Sequence, residues 1–425
     1  MRLETGAGGS RQWIGRAATA CVAAALLASG TSLAEVPRAR PEDVGMSSER
    51  LARIATVVER HIEAGDVAGV VTLVARRGRV VHLEARGYQD IRSRTPMRTD
   101  SIFRLASMSK PITAVAIMML VEEGEVRLTD PVSRFIPELA SLDRVAVPRP
   151  GGEEGAYDLV PAEREITVRD LLTHASGLLS GGLGVRVNEA LARTAPDDTL
   201  ASYIPRLGQL ALDFQPGTLW RYSGLAGFDV LSRIVEVASG QPYDEFLRTR
   251  LFEPLGMSDT GFYFDEARLG RVATLYRRDG NALVPVDRPF SRTYFSGAGG
   301  LASTAEDYFR FAQMLLEGGA LDGRRILGPR TIEWMVANHT GDKVNGQFGR
   351  PPAGMGFGLG MQVVLDPVAA DLAVSKGAYS WPGGTGVSFW IEPAEELVSI
   401  YMIQGGNGAP LRRAFENAVR QAIID

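Results

Sequence analysis

"FRLASMSKPITAVAIMMLVEEG", residues 103–124, sets a lysine three places after a serine at the mouth of an almost wholly apolar run. Pro111 fits only the first turn of a helix, so the helix begins close to Ser107 and Lys110, and Gly124 marks its end. From Ile112 to Val121 nearly every residue is apolar, the pattern of a helix enclosed by protein on all sides. Residues three apart share a helix face, which brings Ser107 and Lys110 within reach of one another. The unpaired N–H groups at a helix start also favour developing negative charge. The chain has only three lysines, Lys110, Lys343 and Lys376, among 46 basic residues. Arginine cannot lose its proton in a protein, whereas a desolvated lysine can, so a lysine in this setting points to proton transfer. The bare serine-x-x-lysine spacing arises by chance about once in a chain of this size, so other segments must support the reading.

The composition is that of a globular chain with ample core: 425 residues, 45% hydrophobic, 23% charged, formal net charge -4. No basic stripe or aromatic-basic interleaving suits nucleic acid. The first 34 residues read as an export signal. Arg2, Arg11 and Arg16 form a positive start, Ala17 to Leu27 an apolar stretch, and Ser32-Leu33-Ala34 a small-x-small cleavage site. The apolar stretch is short for a membrane span, so a periplasmic or secreted protein without stable membrane insertion is expected. Cys21, the sole cysteine, lies inside the signal, which leaves the mature chain, 35–425, without disulfide, thiol nucleophile or thiolate metal site.

The periodicities predict an α/β (α+β) domain. Leu51, Ile54, Val58 and Ile62 mark a one-sided helix over 47–64, and 69–90 reads as an antiparallel hairpin turning at Arg77-Gly78. Residues 356–366, 386–393 and 396–404 are three further strand candidates, followed by a closing helix from about 410. The expectation is one antiparallel sheet built from both ends of the chain (about 42–105 and 340–425). A largely helical portion, about 106–339, is inserted between them.

Tyr222 and Ser223 precede an amphipathic helix that stops at Gly240, where a tyrosine can enter a cleft. "FRLASMSKPITAVAIMMLVEEG", "LLTHASGL" (171–178), "WRYSG" (220–224), "EPLGMSDTGF" (253–262), "FSGAGGLASTAEDYFRF" (295–311) and "SWPGGTG" (380–386) then follow one another in a familiar order. In that order and spacing the chain resembles the serine β-lactamase-like hydrolases, and is most similar to the family VIII carboxylesterases, relatives of class C β-lactamases and DD-peptidases. The resemblance spans roughly residues 42–424.

It implies that Ser107 is the nucleophile, Lys110 the motif lysine, and Tyr222 the tyrosine that shares the general-base work. Either a neutral Lys110 or a Tyr222 phenolate could take the serine proton. It further implies an oxyanion site from the N–H groups of Ser107 and Gly384, with Trp381, Gly383 and Gly224 at the substrate. Trp381-Pro382-Gly383 stands where β-lactamases have lysine-threonine-glycine. Pro382 departs from the esterase pattern and predicts a free sheet edge. Gly224 stands where β-lactamases have an amide-binding asparagine, and Trp381 where they have a carboxylate-binding lysine. An apolar, aromatic-edged cleft for an uncharged short acyl ester is the resulting expectation.

The alternatives are a β-lactamase or D-amino peptidase, an acyltransferase, or a cell-wall-binding module without turnover. No cofactor is implied. His61, His82, His174 and His339 show no zinc-helix spacing, so no metal site is expected. "HASGL" lacks the first glycine of a nucleophile elbow, and His174 reads as a turn residue. The glycines of 296–303 lack the ending of a phosphate loop and are expected to line the cleft by close backbone approach. The sequence does not fix an oligomeric state.

Overall fold

The structure, a computed structural model, describes residues 36–344 and 353–425, so the export signal expected over 1–34, with Cys21, lies outside the described residues. Its frame is one antiparallel sheet of eight strands: β1 (Gly69–Arg76), β2 (Arg79–Asp90), β3 (Thr95–Pro96), β4 (Met355–Phe357), β5 (Gln362–Val364), β6 (Tyr379–Ser380), β7 (Ser388–Glu392) and β8 (Leu397–Met402). The spatial order is β4-β5-β6-β7-β8-β1-β2-β3, so the two ends of the chain meet where β8 pairs with β1, Val71 opposite Met402. The hairpin turn falls at Arg77-Gly78, as the sequence predicts.

β1 is buried on both faces, and its period-2 alternation shows why. Val70 and Val74 point to a small core with Ile54, Val58, Leu411 and Phe415, which come from the helices α1 (Arg53–Glu63) and α6 (Gly408–Arg420). Val71, Leu73 and Ala75 point to the main core, where α5 (Ala305–Leu316) packs on the other face. The inserted portion runs between these layers. It contains α2 (Ser109–Glu122), α3 (Val168–Leu172) and α4 (Ala226–Ser239), and also small hairpins at Arg144–Pro161 and Tyr276–Pro285.

α2 is the helix read from the opening stretch. Every residue from Ser109 to Leu120 is buried, and the helix ends before Gly124 in a left-handed conformation (φ +81°). It packs on α4, which stops at Gly240.

Two strand expectations are corrected. Residues 356–366 form a tight hairpin, β4 and β5, rather than one strand. Gly360 at its turn has φ +83° and approaches α2 so closely that a Cβ would sit 2.8 Å from Ala114 Cβ. The free edge expected at Pro382 does not exist as a sheet edge, because β6 pairs on both sides, with β5 and β7. The strand ends at Ser380, and Pro382 lies beyond the ladder where no N–H is needed.

Candidate active site

Ser107 sits in a 3-10 turn, Ala106–Met108, that feeds directly into α2. Ala106 holds φ +46°, a left-handed conformation that costs a non-glycine residue about 1 kcal/mol or more. His174, at φ +56°, is a second such residue at the same site. Strain of this kind persists only where packing over-determines it.

The Ser107 hydroxyl oxygen lies 2.6 Å from the Tyr222 hydroxyl and 3.4 Å from Lys110 Nζ. Lys110 is fully buried, and its Nζ also donates to the carbonyls of Gly224 (2.7 Å) and Ala298 (2.9 Å). Burial pushes Lys110 from 10.5 down to about 7, and the charge of Asp229 offsets this only in part. Burial pushes the Tyr222 hydroxyl up, although hydrogen bonding with Ser107 and Trp381 pulls the other way. Lys110 is therefore the group whose proton comes off near neutrality.

Asp229, in the first turn of α4, organises the opposite wall. It accepts from Ser296 Oγ (2.6 Å), Tyr294 Oη (2.8 Å) and the Ala298 N–H (3.1 Å). That loop in turn offers the Ala298 carbonyl to Lys110. Burial raises Asp229, while these three donors and Lys110 favour its charged form. In sequence Asp229 reads as an ordinary acidic residue at a helix start, so it gives no signal of this role.

His174 stands under Tyr222, with ring centroids 4.6 Å apart, among Trp220, Phe228, Phe357 and Trp381. The Ser223 N–H donates to its Nδ1 (3.3 Å), and Nε2 is buried with no hydrogen-bond partner among the described residues. Burial and the nearby Lys110 hold the imidazole neutral, well below its ordinary range. It supports the tyrosine and has no contact that would make it a base for Ser107.

The connection 381–387 crosses close to the serine turn. Gly383 packs so tightly that a Cβ would fall 2.2 Å from the Leu105 carbonyl, and Thr385 Oγ1 donates to the Arg104 carbonyl (2.7 Å). Gly384 is exposed at the tip of that turn and is not among the residues that line the Ser107 cavity. Gly299 packs beside Ala106, and Ala298 to Gly300 line the cavity, as the close backbone approach predicts.

The cavity at Ser107, about 270 Å³, has an aromatic edge from Phe262, Phe290 and Tyr294 but is more polar than the apolar cleft expected from the sequence. Arg104, Arg288, Ser291, Ser296 and Thr385 line it beside Leu225, Phe262 and Leu301. Trp381 does not line it: the indole is only 3% exposed and packs against Tyr222 and Phe357. Gly224 meets the site through its carbonyl, and a side chain there would meet only Tyr222, at 4.0 Å. Among the described residues no cluster of three or more His, Cys, Asp or Glu could hold a metal ion.

The β-lactamase family profile matches residues 54–422. The chain is 37% identical to protein Rv1367c of Mycobacterium tuberculosis over 362 residues, covering 80% of this chain and 87% of that one. It is 32% identical to esterase EstB of Burkholderia gladioli over 398 residues, 87% of this chain and 94% of EstB. Among solved structures, EstCE1, described as a hydrolase with promiscuous acyltransferase activity, superposes with a TM-score of 0.74 at 27% identity, covering 88% of this chain and 99% of EstCE1. On the match over residues 54–422 and the likeness to these relatives, the chain belongs to the β-lactamase family, as a serine hydrolase with esterase relatives.

Proposed function

We propose that the protein is a serine carboxylesterase of the family VIII type, which cleaves short-chain esters through an acyl-enzyme on Ser107. One observation carries the reading: Lys110 has two carbonyl acceptors and one neighbouring hydroxyl. A neutral amine has two N–H bonds and one lone pair, so its donors go to Gly224 and Ala298 and its lone pair is left for Ser107. Lys110 then takes the Ser107 proton as the oxygen attacks the ester carbonyl, directly or through the Tyr222 hydroxyl, which relays one proton and receives another. The N–H groups of Ser107 and Gly384 receive the oxyanion, each such donor being worth about 3 kcal/mol of barrier. The same proton returns to the departing alkoxide. Water, deprotonated by the same pair, releases the acid and restores Ser107.

The ester class rests on what is missing. Gly224 offers no side-chain amide and Trp381 no cation, so neither position supplies the polar handle that a β-lactam meets there. The likeness to EstB supports the same choice. The likeness to EstCE1 favours acyl transfer to another alcohol as a second reading, since any alcohol that replaces water would accept the acyl group. Export to the periplasm or medium is part of the proposal and rests on the 1–34 segment.

The test is turnover of p-nitrophenyl acetate, butyrate and octanoate beside a chromogenic cephalosporin, by parent and Ser107→Ala. The expected result is ester efficiency far above cephalosporin efficiency, lost in the variant. Higher efficiency on the cephalosporin than on any ester would overturn the ester reading and leave the Ser107 assignment standing.

A further inference from the structure

The cavity beside Ser107 carries two guanidinium groups, and neither forms an ion pair among the described residues. Elsewhere the arginines are commonly paired: Arg271 with Asp259, Arg206 with Asp198, Arg164 with Asp170. Arg104, three residues before the serine, is half-buried, with its Cζ 3.7 Å from the centroid of the Phe290 ring. Its side chain also donates to the Arg288 carbonyl, which fixes the planar fork in place. Arg288 is exposed and lines the same cavity. Burial, together with the positive charge of Arg288, pushes Arg104 down to about 10, and Asp287 offsets this only in part. Two like charges thus converge on one small chamber with no carboxylate within ion-pair distance among the described residues, a setting that suits an anion from outside. The remaining walls, Leu225, Phe262 and Leu301, suit an apolar body.

We propose that Arg104 and Arg288 form a carboxylate subsite of the Ser107 cavity, so that the preferred substrates are esters carrying a free carboxylate a short distance from the scissile bond. The proposal rests on the esterase reading above and narrows it. A guanidinium fork held flat against an aromatic ring pairs with a carboxylate at two points and loses little freedom on doing so. The carboxylate belongs either to the acyl part or to the alcohol part, and the two are separable by experiment.

Efficiencies are measured for two size-matched pairs that differ in charge: mono-p-nitrophenyl adipate against p-nitrophenyl hexanoate for the acyl side, and 4-acetoxybenzoate against its methyl ester for the alcohol side. In one pair, the ratio of anionic to neutral kcat/KM should fall about tenfold or more in Arg104→Gln and in Arg288→Gln, mainly through KM, and should fall with added salt. Ratios that stay fixed in both variants and in salt overturn the subsite, while turnover of the neutral esters leaves the esterase reading intact. Should no ester be turned over, that reading fails by itself. The subsite is then read by calorimetry on Ser107→Ala, where monomethyl adipate should bind more tightly than dimethyl adipate, with the difference lost in the arginine variants. Equal binding of the two overturns it.

Discussion

Lowering the pH should switch off Ser107 by protonating Lys110, and the size of the effect follows from burial. Lys110 is depressed from 10.5 to about 7 because its ammonium is desolvated. Below about pH 7 the lone pair facing Ser107 is occupied, so kcat/KM should fall tenfold per unit, by about a hundredfold at pH 5 relative to the plateau. The same shift is a stability statement. The folded-state value lies below the unfolded one, so between about 7 and 10.5 the unfolded chain binds the extra proton, and stability from this group rises with pH. The full span corresponds to about 5 kcal/mol. Kinetics of p-nitrophenyl butyrate, followed at the isosbestic wavelength of the product, would give the first limb. Urea unfolding of the parent against Lys110→Met at matched pH would isolate the second, with the parent gaining on the variant by about 1.4 kcal/mol per unit above pH 7. An activity profile flat from about pH 5 to 8, or a limb near 10 with no stability trend, would refute the neutral-lysine assignment and return the base to a Tyr222 phenolate.

Ser107→Ala should abolish ester turnover without unfolding the protein, and an active-site phosphonate should label Ser107 in the parent; label at Ser176 or Ser223 would contradict this. Lys110→Arg keeps the charge but has no neutral form, and Tyr222→Phe removes the hydroxyl 2.6 Å from Ser107, so each should lose about a hundredfold or more in kcat/KM. Gly383→Ala would drive a Cβ to 2.2 Å from the Leu105 carbonyl, displacing the turn that carries Gly384, and kcat should drop by about a hundredfold with KM less affected; parent-like kcat would show that the turn contributes no oxyanion donor. Trp381→Lys, aimed at restoring a β-lactam contact, should instead destabilise by about 4 kcal/mol or more in urea unfolding, because it buries an unpaired ammonium where the indole is 3% exposed.

The parts of the fold that were legible in sequence are those with a strong period or punctuation. α2 announced itself by a run of apolar residues between Pro111 and Gly124, and the β1–β2 hairpin by two β-branched runs around Arg77-Gly78. The split of 356–366 was not legible, since Gly360 serves a close approach to α2, and Gly358 one to the Met335 carbonyl, that only tertiary packing reveals. At the site, Ser107 and Lys110 are local in sequence and Tyr222 follows from the family pattern, whereas Asp229, His174 and Arg104 act across distances of tens to hundreds of residues. Trp381 shows the same limit from the other side: its motif position suggested a cleft wall, and its surroundings make it a prop beneath Tyr222.

The closure of the sheet also governs how the chain can fold. β1 and β8 are central neighbours, yet Val71 and its partner Met402 are about 330 residues apart in sequence. The β1–β2 hairpin can form early, within microseconds, because its loop is two residues long. It cannot bury its other edge until β8 arrives, so a strongly apolar strand waits with open hydrogen-bonding groups while the whole inserted region is ordered. Refolding from urea should accordingly be slow and concentration-sensitive, with aggregation seeded at the β1 edge. A peptide of the β8 sequence, 397–402, would compete for that edge in the interval.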